Sequence, residues 1–218
     1  MAFRQLINSV LRRLREDTIP SDWSGDILDA TDVGDYQQLI SELVNESKQV
    51  CEDAWNWGDL RTIETVTTAA STASYTMSNL NIRARVLQVI DDTNDAVLTQ
   101  MSDNSFYNYT YVGTSQTGSP TFYRMKGNEI SFWPTPDAVL SVRVHAVQPQ
   151  SDLTTATQAL TIPDNVVVLG AYALAVNERG EDGGTLSDAA ASRFSQALTD
   201  AISQDELRTV NESTWYVG

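Results

Sequence analysis

His145 is the only histidine in the chain, which closes off chemistry that needs several imidazoles. A catalytic triad needs its histidine beside a nucleophile, and zinc sites built on histidine use more than one. His145 falls in a run that alternates like a β-strand, so a surface strand position is expected of it. Cys51 is also single, which excludes an intrachain disulfide and a thiolate metal cage. Its neighbours Val50, Ala54 and Trp55 mark it as a small core residue rather than a nucleophile. Asp91, Asp92, Asn94 and Asp95 bunch as calcium ligands do, but Thr93 and Val97 break the alternation that an EF-hand loop requires. An acidic hairpin turn is expected there instead. Gly183-Gly184 terminates a helix, and no phosphate-cradling glycine motif occurs anywhere.

Two sets of residues stay open. The 29 acidic side chains leave room for the carboxylate pair of a glycan hydrolase, whose spacing only the fold can set. Trp55, Trp57, Trp133, Tyr107, Tyr109 and Tyr111 would suit a sugar-stacking surface, although such residues more often anchor cores and interfaces. No catalytic centre, cofactor or metal is expected, and the chain reads as a protein that works by assembly.

Its charge points the same way. A net charge of −15 argues against a domain that grips the outside of nucleic acid, because such domains are basic. The imbalance is uneven: residues 1–15 carry Arg4, Arg12, Arg13 and Arg15 and no acid, while the remainder sums to −19. A face holding Arg4, Arg12 and Arg15 is therefore either an assembly surface for an acidic neighbour or simply a solvated helix flank. No apolar run reaches the ~18 residues that a membrane span needs, and a protein made and kept in a cytosol is expected.

The elements that must position these residues follow from periodicity. Phe3, Leu6, Ile7, Val10, Leu11 and Leu14 keep helical spacing, which predicts an amphipathic helix over 3–15. A second helix is expected from about 35 to 57, with Tyr36, Leu39, Ile40, Leu43, Val44, Val50, Cys51, Ala54 and Trp55 on its apolar face. From residue 61 to about 150 the composition turns to strand and turn chemistry. Strands are expected at 61–67, 83–90, 96–101 and 139–147, with an extended loop over 102–120. A hairpin, 122–126 and 129–133, is joined by Gly127-Asn128. Pro163 is expected at the first position of a helix whose stretch 166–176 is apolar all round and must be enclosed. Thr185-Leu186-Ser187-Asp188 reads as a capping box for a last helix. Its buried stripe is expected to be Leu186, Ala190, Phe194, Ala197, Leu198, Ala201 and Ile202. The predicted class is α+β: a helical bundle from 1–60 and 160–210, an inserted antiparallel β-rich domain over 61–150, and a tail at 211–218.

Two stretches carry a resemblance. One is Phe122-Tyr123-Arg124-Met125-Lys126-Gly127-Asn128-Glu129-Ile130-Ser131-Phe132-Trp133-Pro134-Thr135-Pro136; the other is Leu160-Thr161-Ile162-Pro163-Asp164 followed by Gly170-Ala171-Tyr172-Ala173-Leu174-Ala175 and Glu178-Arg179-Gly180-Glu181. Together they resemble the head-to-tail adaptor (connector) proteins of tailed bacteriophages, including the tail tubular A-like adaptors, over roughly residues 30–205. The resemblance implies a structural virion protein at the head–tail junction, made in the host cytoplasm. It implies a ring of twelve copies that binds the portal protein and tail or nozzle proteins, with DNA passing through unbound and no membrane involved. It also implies that Trp215, Tyr216 and Val217 in the tail dock on the portal. The competing expectation is a carbohydrate-binding or tail-fibre-associated module.

Overall fold

The computed structural model describes residues 1–28, 31, 33–112, 116–180 and 184–208. The chain divides into two compact units, Met1–Asp59 with Gln150–Gly218, and Leu60–Pro149. Helices and strands are both present, as expected of a mixed α and β chain.

In the first unit, α1 spans Phe3–Leu14 and buries Phe3, Leu6, Ile7, Val10 and Leu11, the stripe set by its period. Gln5 Oε1 accepts the Ala2 amide at 3.1 Å, satisfying a backbone donor at the helix start. The helix stops at Arg15, whose φ of 60° is left-handed.

Helix α2, Asp35–Ala54, buries a different face from the one its apolar residues predict. Ile40, Val44 and Cys51 are buried, but so are Ser41, Asn45, Ser47, Lys48 and Glu52, while Val50 is 49% exposed. The reason is the segment after residue 149, which lies on this face and offers backbone groups that need polar partners. Asn45 pairs with Leu153 in both directions at 2.9 Å. Lys48 Nζ donates to the carbonyls of Gln150 at 2.7 Å and Ser151 at 2.9 Å, and Glu52 Oε1 accepts the Gln150 amide at 3.1 Å.

Helix α4, Asp164–Arg179, begins one residue after Pro163, which caps the helix instead of taking its expected first position. Helices α1, α2 and α5 (Thr185–Arg208) all pack against it. The expected enclosure on every side needs correcting. Val166, Val167, Val168, Gly170, Ala171, Ala175 and Val176 are buried, yet Leu169, Tyr172, Ala173 and Leu174 are only half covered. The stripe expected on α5 is only partly covered: Ala190 is buried, Phe194, Ala197, Leu198, Ala201 and Ile202 are half-buried, and Leu186 is 49% exposed. Among the described residues α4 is the one helix that packs substantially on α5, so a single line of contact has to suffice. Thr185 is helical from the outset, and the Gly184 carbonyl rather than a threonine cap takes the Asp188 amide at 2.8 Å.

The second unit holds a seven-stranded sheet in the order β1-β7-β3-β4-β5-β6-β2. These strands are Arg61–Thr67, Ser74–Thr76, Arg85–Asp91, Ala96–Gln100, Phe122–Lys126, Glu129–Trp133 and Ser141–Val147, numbered β1 to β7 along the chain. All neighbours are antiparallel except β4 and β5. Strand β7 alternates because it lies between β1 and β3, turning Val142 and Val144 into a core with Val89, Leu98, Tyr123, Ile130 and Phe132. Gly127 turns the β5–β6 hairpin with φ of 60°, a conformation that suits glycine. The short strand β2 had no signal long enough to read. The expected loop over 102–120 is corrected in part: Asp103–Tyr107 forms a helical turn, α3, and Asn108–Val112 continues as one π-helical turn. The Ser102 hydroxyl starts it by accepting the Ser105 amide at 3.3 Å.

Candidate functional site

The residues singled out for chemistry resolve into structural roles. Cys51 is fully buried, and burial pushes its thiol up to about 12, so it holds almost no thiolate at neutral pH. His145 is half-buried on β7 between Ile63 and Gln88, as a strand residue should be. Asp91 is buried and accepts from the Thr93 amide at 2.9 Å and the Asn94 side chain at 2.7 Å. Those bonds make the acidic run a self-capped turn. No group of three or more His, Cys, Asp or Glu among the described residues is placed to hold a metal.

The arginines of the first helix separate. Arg4 is half-buried and its guanidinium donates to the Trp23 carbonyl, fastening the following loop to the helix. Arg12, Arg13 and Arg15 are exposed at the end of α1, where positive charge favours the helix dipole. Arg13 and Arg15 share the rim of a 410 Å³ cavity with Leu14, Tyr172, Val176, Leu186 and Arg179. Arg179 is already held there: it bonds the Tyr36 hydroxyl at 2.9 Å and the Glu16 carboxylate, and the Glu16 bond raises its affinity for its proton further. The cationic surface is therefore Arg12, Arg13 and Arg15. Sequence periodicity grouped Arg4 with it because a helical wheel does not show the loop that captures Arg4. Trp215, Tyr216 and Val217 lie outside the described residues.

The aromatic set also divides. Trp57 is buried and donates to the Cys51 carbonyl at 2.8 Å, and Trp55 donates to Asp205 at 2.9 Å. The other four meet in the β unit. Tyr107, Tyr109 and Tyr111, brought round by α3 and the π-turn, join Trp133 of β6 in lining a cavity of about 310 Å³. Tyr109 lies 4.6 Å from Trp133 between ring centroids, and Tyr107 stacks on Tyr111 at 5.7 Å. At the cavity's base is Arg124 of β5, only 6% exposed, with its guanidinium 4.6 Å from the Phe106 centroid and 5.2 Å from that of Tyr107. Its Nη2 donates to Ser131 Oγ at 3.3 Å. The carboxylates of Asp103 and Glu129 stand 3.7 Å away, beyond hydrogen-bond distance. Arg124 Nε and Nη1, Trp133 Nε1 and Thr110 Oγ1 are buried with no hydrogen-bond partner. Arg124 was visible in the sequence as the one arginine of the hairpin, but its neighbours across 102–112 were hidden by the loop expected there.

Four of the six aromatic residues thus share one polar cavity with Arg124. No described helix is long and apolar enough to cross a membrane. The family model described as SU10 adaptor protein matches residues 1–217. No curated protein matches the chain.

Proposed function

We propose, from the premise that the chain belongs to the SU10 adaptor protein family, that it is a structural protein of a phage particle joining head to tail. In the fuller form of this reading, twelve copies form a ring beneath the portal, as in tail tubular A-like adaptors. The ring receives tail or nozzle proteins below and continues the DNA channel. The observation that carries it is the extent of the family match, which takes in both units of the chain.

The physical chemistry supports the reading. A net charge of −15 makes a wall that repels phosphate, so DNA slides past it instead of being held. Arg12, Arg13 and Arg15 give the acidic chain a cationic patch for an acidic neighbour. Helices α1, α2, α4 and α5 act as one bundle in this account, and residues 211–218 with Trp215, Tyr216 and Val217 anchor it on the portal. A sugar-binding module is the second reading, favoured by the aromatic walls of the Arg124 cavity.

Cross-linking and mass spectrometry of purified virions tests the proposal. The expected result is cross-links from this chain to the portal, at a copy number matching the portal ring. A chain missing from complete particles overturns it.

A further inference from the structure

Helices α2, α4 and α5 leave an apolar groove of about 360 Å³ between them. Val50 of α2, Ala173 and Leu174 of α4, and Ala191 and Phe194 of α5 line it, and no side chain along it is charged. Val50 is 49% exposed and Ala191 is open, so apolar surface that could be shared among these helices faces outward instead. In a chain of net −15 an uncharged, apolar strip of this kind suits a segment that is itself apolar and nearly free of charge.

Such a segment adjoins the groove. On α5 the lining residues Ser187, Ala191 and Phe194 continue at helical spacing into Leu198 and Ile202, both half-buried. This ridge leads to the end of α5 at Arg208, where residues 209–218 begin, outside the described residues. They hold one charged side chain, Glu212, and the apolar run Trp215, Tyr216 and Val217. At about 1.5 Å per helical residue, Phe194 stands about 21 Å back from Arg208 and Ala191 about 26 Å. An extended chain advances about 3.3 Å per residue, so Trp215 reaches about 23 Å from the same point and Val217 about 30 Å. With a few ångströms spent on the turn, a tail doubled back along the ridge sets Trp215 between Leu198 and Phe194, and Val217 beside Ala191.

We infer that residues 209–218 double back along α5 and seat Trp215, Tyr216 and Val217 in the groove of their own chain. The aromatic rings bring large apolar area, and its burial with Val50, Leu198 and Ile202 drives the contact. The contact belongs to the chain alone; that a portal would empty the groove by drawing the same tail out rests on the adaptor reading above.

Disulfide trapping in the full chain tests the contact. A bridge closes readily only where two Cα atoms come within about 7 Å, and native Cys51 stays silent because it is fully buried. Ala191→Cys paired with Val217→Cys should bridge within one chain at least tenfold faster than Arg193→Cys paired with Val217→Cys, since Arg193 is exposed on the other side of α5. Adding Trp215→Ala should bring the first pair down to the rate of the second. Melting temperatures of the reduced variants are the control for folding. Equal rates for the two pairs overturn the inference, as does a fast bridge that Trp215→Ala leaves unchanged. A bridge that forms only between chains, faster as protein concentration rises, seats the tail on a second copy and overturns it too. Portal docking by the native chain is measured separately. Its failure counts against the adaptor reading and leaves this contact standing, so the two failures are distinguishable.

Discussion

Asn45 and Leu153 exchange two hydrogen bonds of 2.9 Å, the asparagine amide donating to the leucine carbonyl and accepting from its amide. A side chain on α2 thus does for residue 153 what a neighbouring strand would do, and both backbone groups are satisfied inside the protein. Asn45→Ala removes both partners at once. Leaving a buried donor and acceptor unmet costs about 2–4 kcal/mol. A fall of that size in unfolding free energy, read from the denaturant midpoint, is expected.

At Gly170, α4 packs closely against Ser47 of α2 and Phe194 of α5. A β-carbon there would stand 2.2 Å from Ser47 Oγ and 2.9 Å from the Phe194 ring. The serine cannot swing aside freely, because its hydroxyl donates to the Val167 carbonyl at 3.0 Å. Gly170→Ala is expected to destabilise by about 1–3 kcal/mol through overpacking. Adding Ser47→Ala should recover part of that loss, and thermal melts of the single and double variants check it.

Cys51 couples stability to alkaline pH. Its folded thiol titrates at about 12 against an ordinary 9.0, so the folded chain keeps a proton that the unfolded chain releases above pH 9. Stability is unaffected below pH 9 and falls between 9 and 12, by about 1.4 kcal/mol per pH unit from this group. Cys51→Ala should flatten that part of the profile. At pH 8 the native thiol, fully buried and protonated, should also react with a thiol reagent far more slowly than in urea.

The exposed arginines carry the assembly prediction. Replacing Arg12, Arg13 and Arg15 with Gln should weaken docking to an acidic partner several-fold and reduce its salt dependence. Single surface ion pairs contribute only about 0–1 kcal/mol, so the triple change is needed. Association that is unchanged from low to high salt would exclude this face as a contact.

Much of the architecture was legible because periodicity is a local property. The stripe Phe3, Leu6, Ile7, Val10 and Leu11 is buried as its spacing requires, and the Gly127-Asn128 hairpin and the inward Val142 and Val144 lie where turn chemistry and alternation put them. What failed depends on distant partners. Asn45, Lys48 and Glu52 lie outside the apolar face read from the sequence, and only residues 150–153 laid against them account for their burial. Leu186 and Val50 read as core because nothing in the sequence says that, among the described residues, α4 is the one helix packing substantially on α5. The cavity was half visible: its aromatics were noted, but Arg124 joins them only through the turn at 103–112, whose signal was a lone serine cap.

The central claim is that this chain is a ring-forming adaptor between portal and tail, and imaging it together with its portal addresses that claim most directly. Class averages of the mixed proteins by electron microscopy should show a second ring of this chain stacked on the portal, in register with it and with a continuous axial channel. Portal particles that remain bare at saturating concentrations of the folded chain would contradict the account.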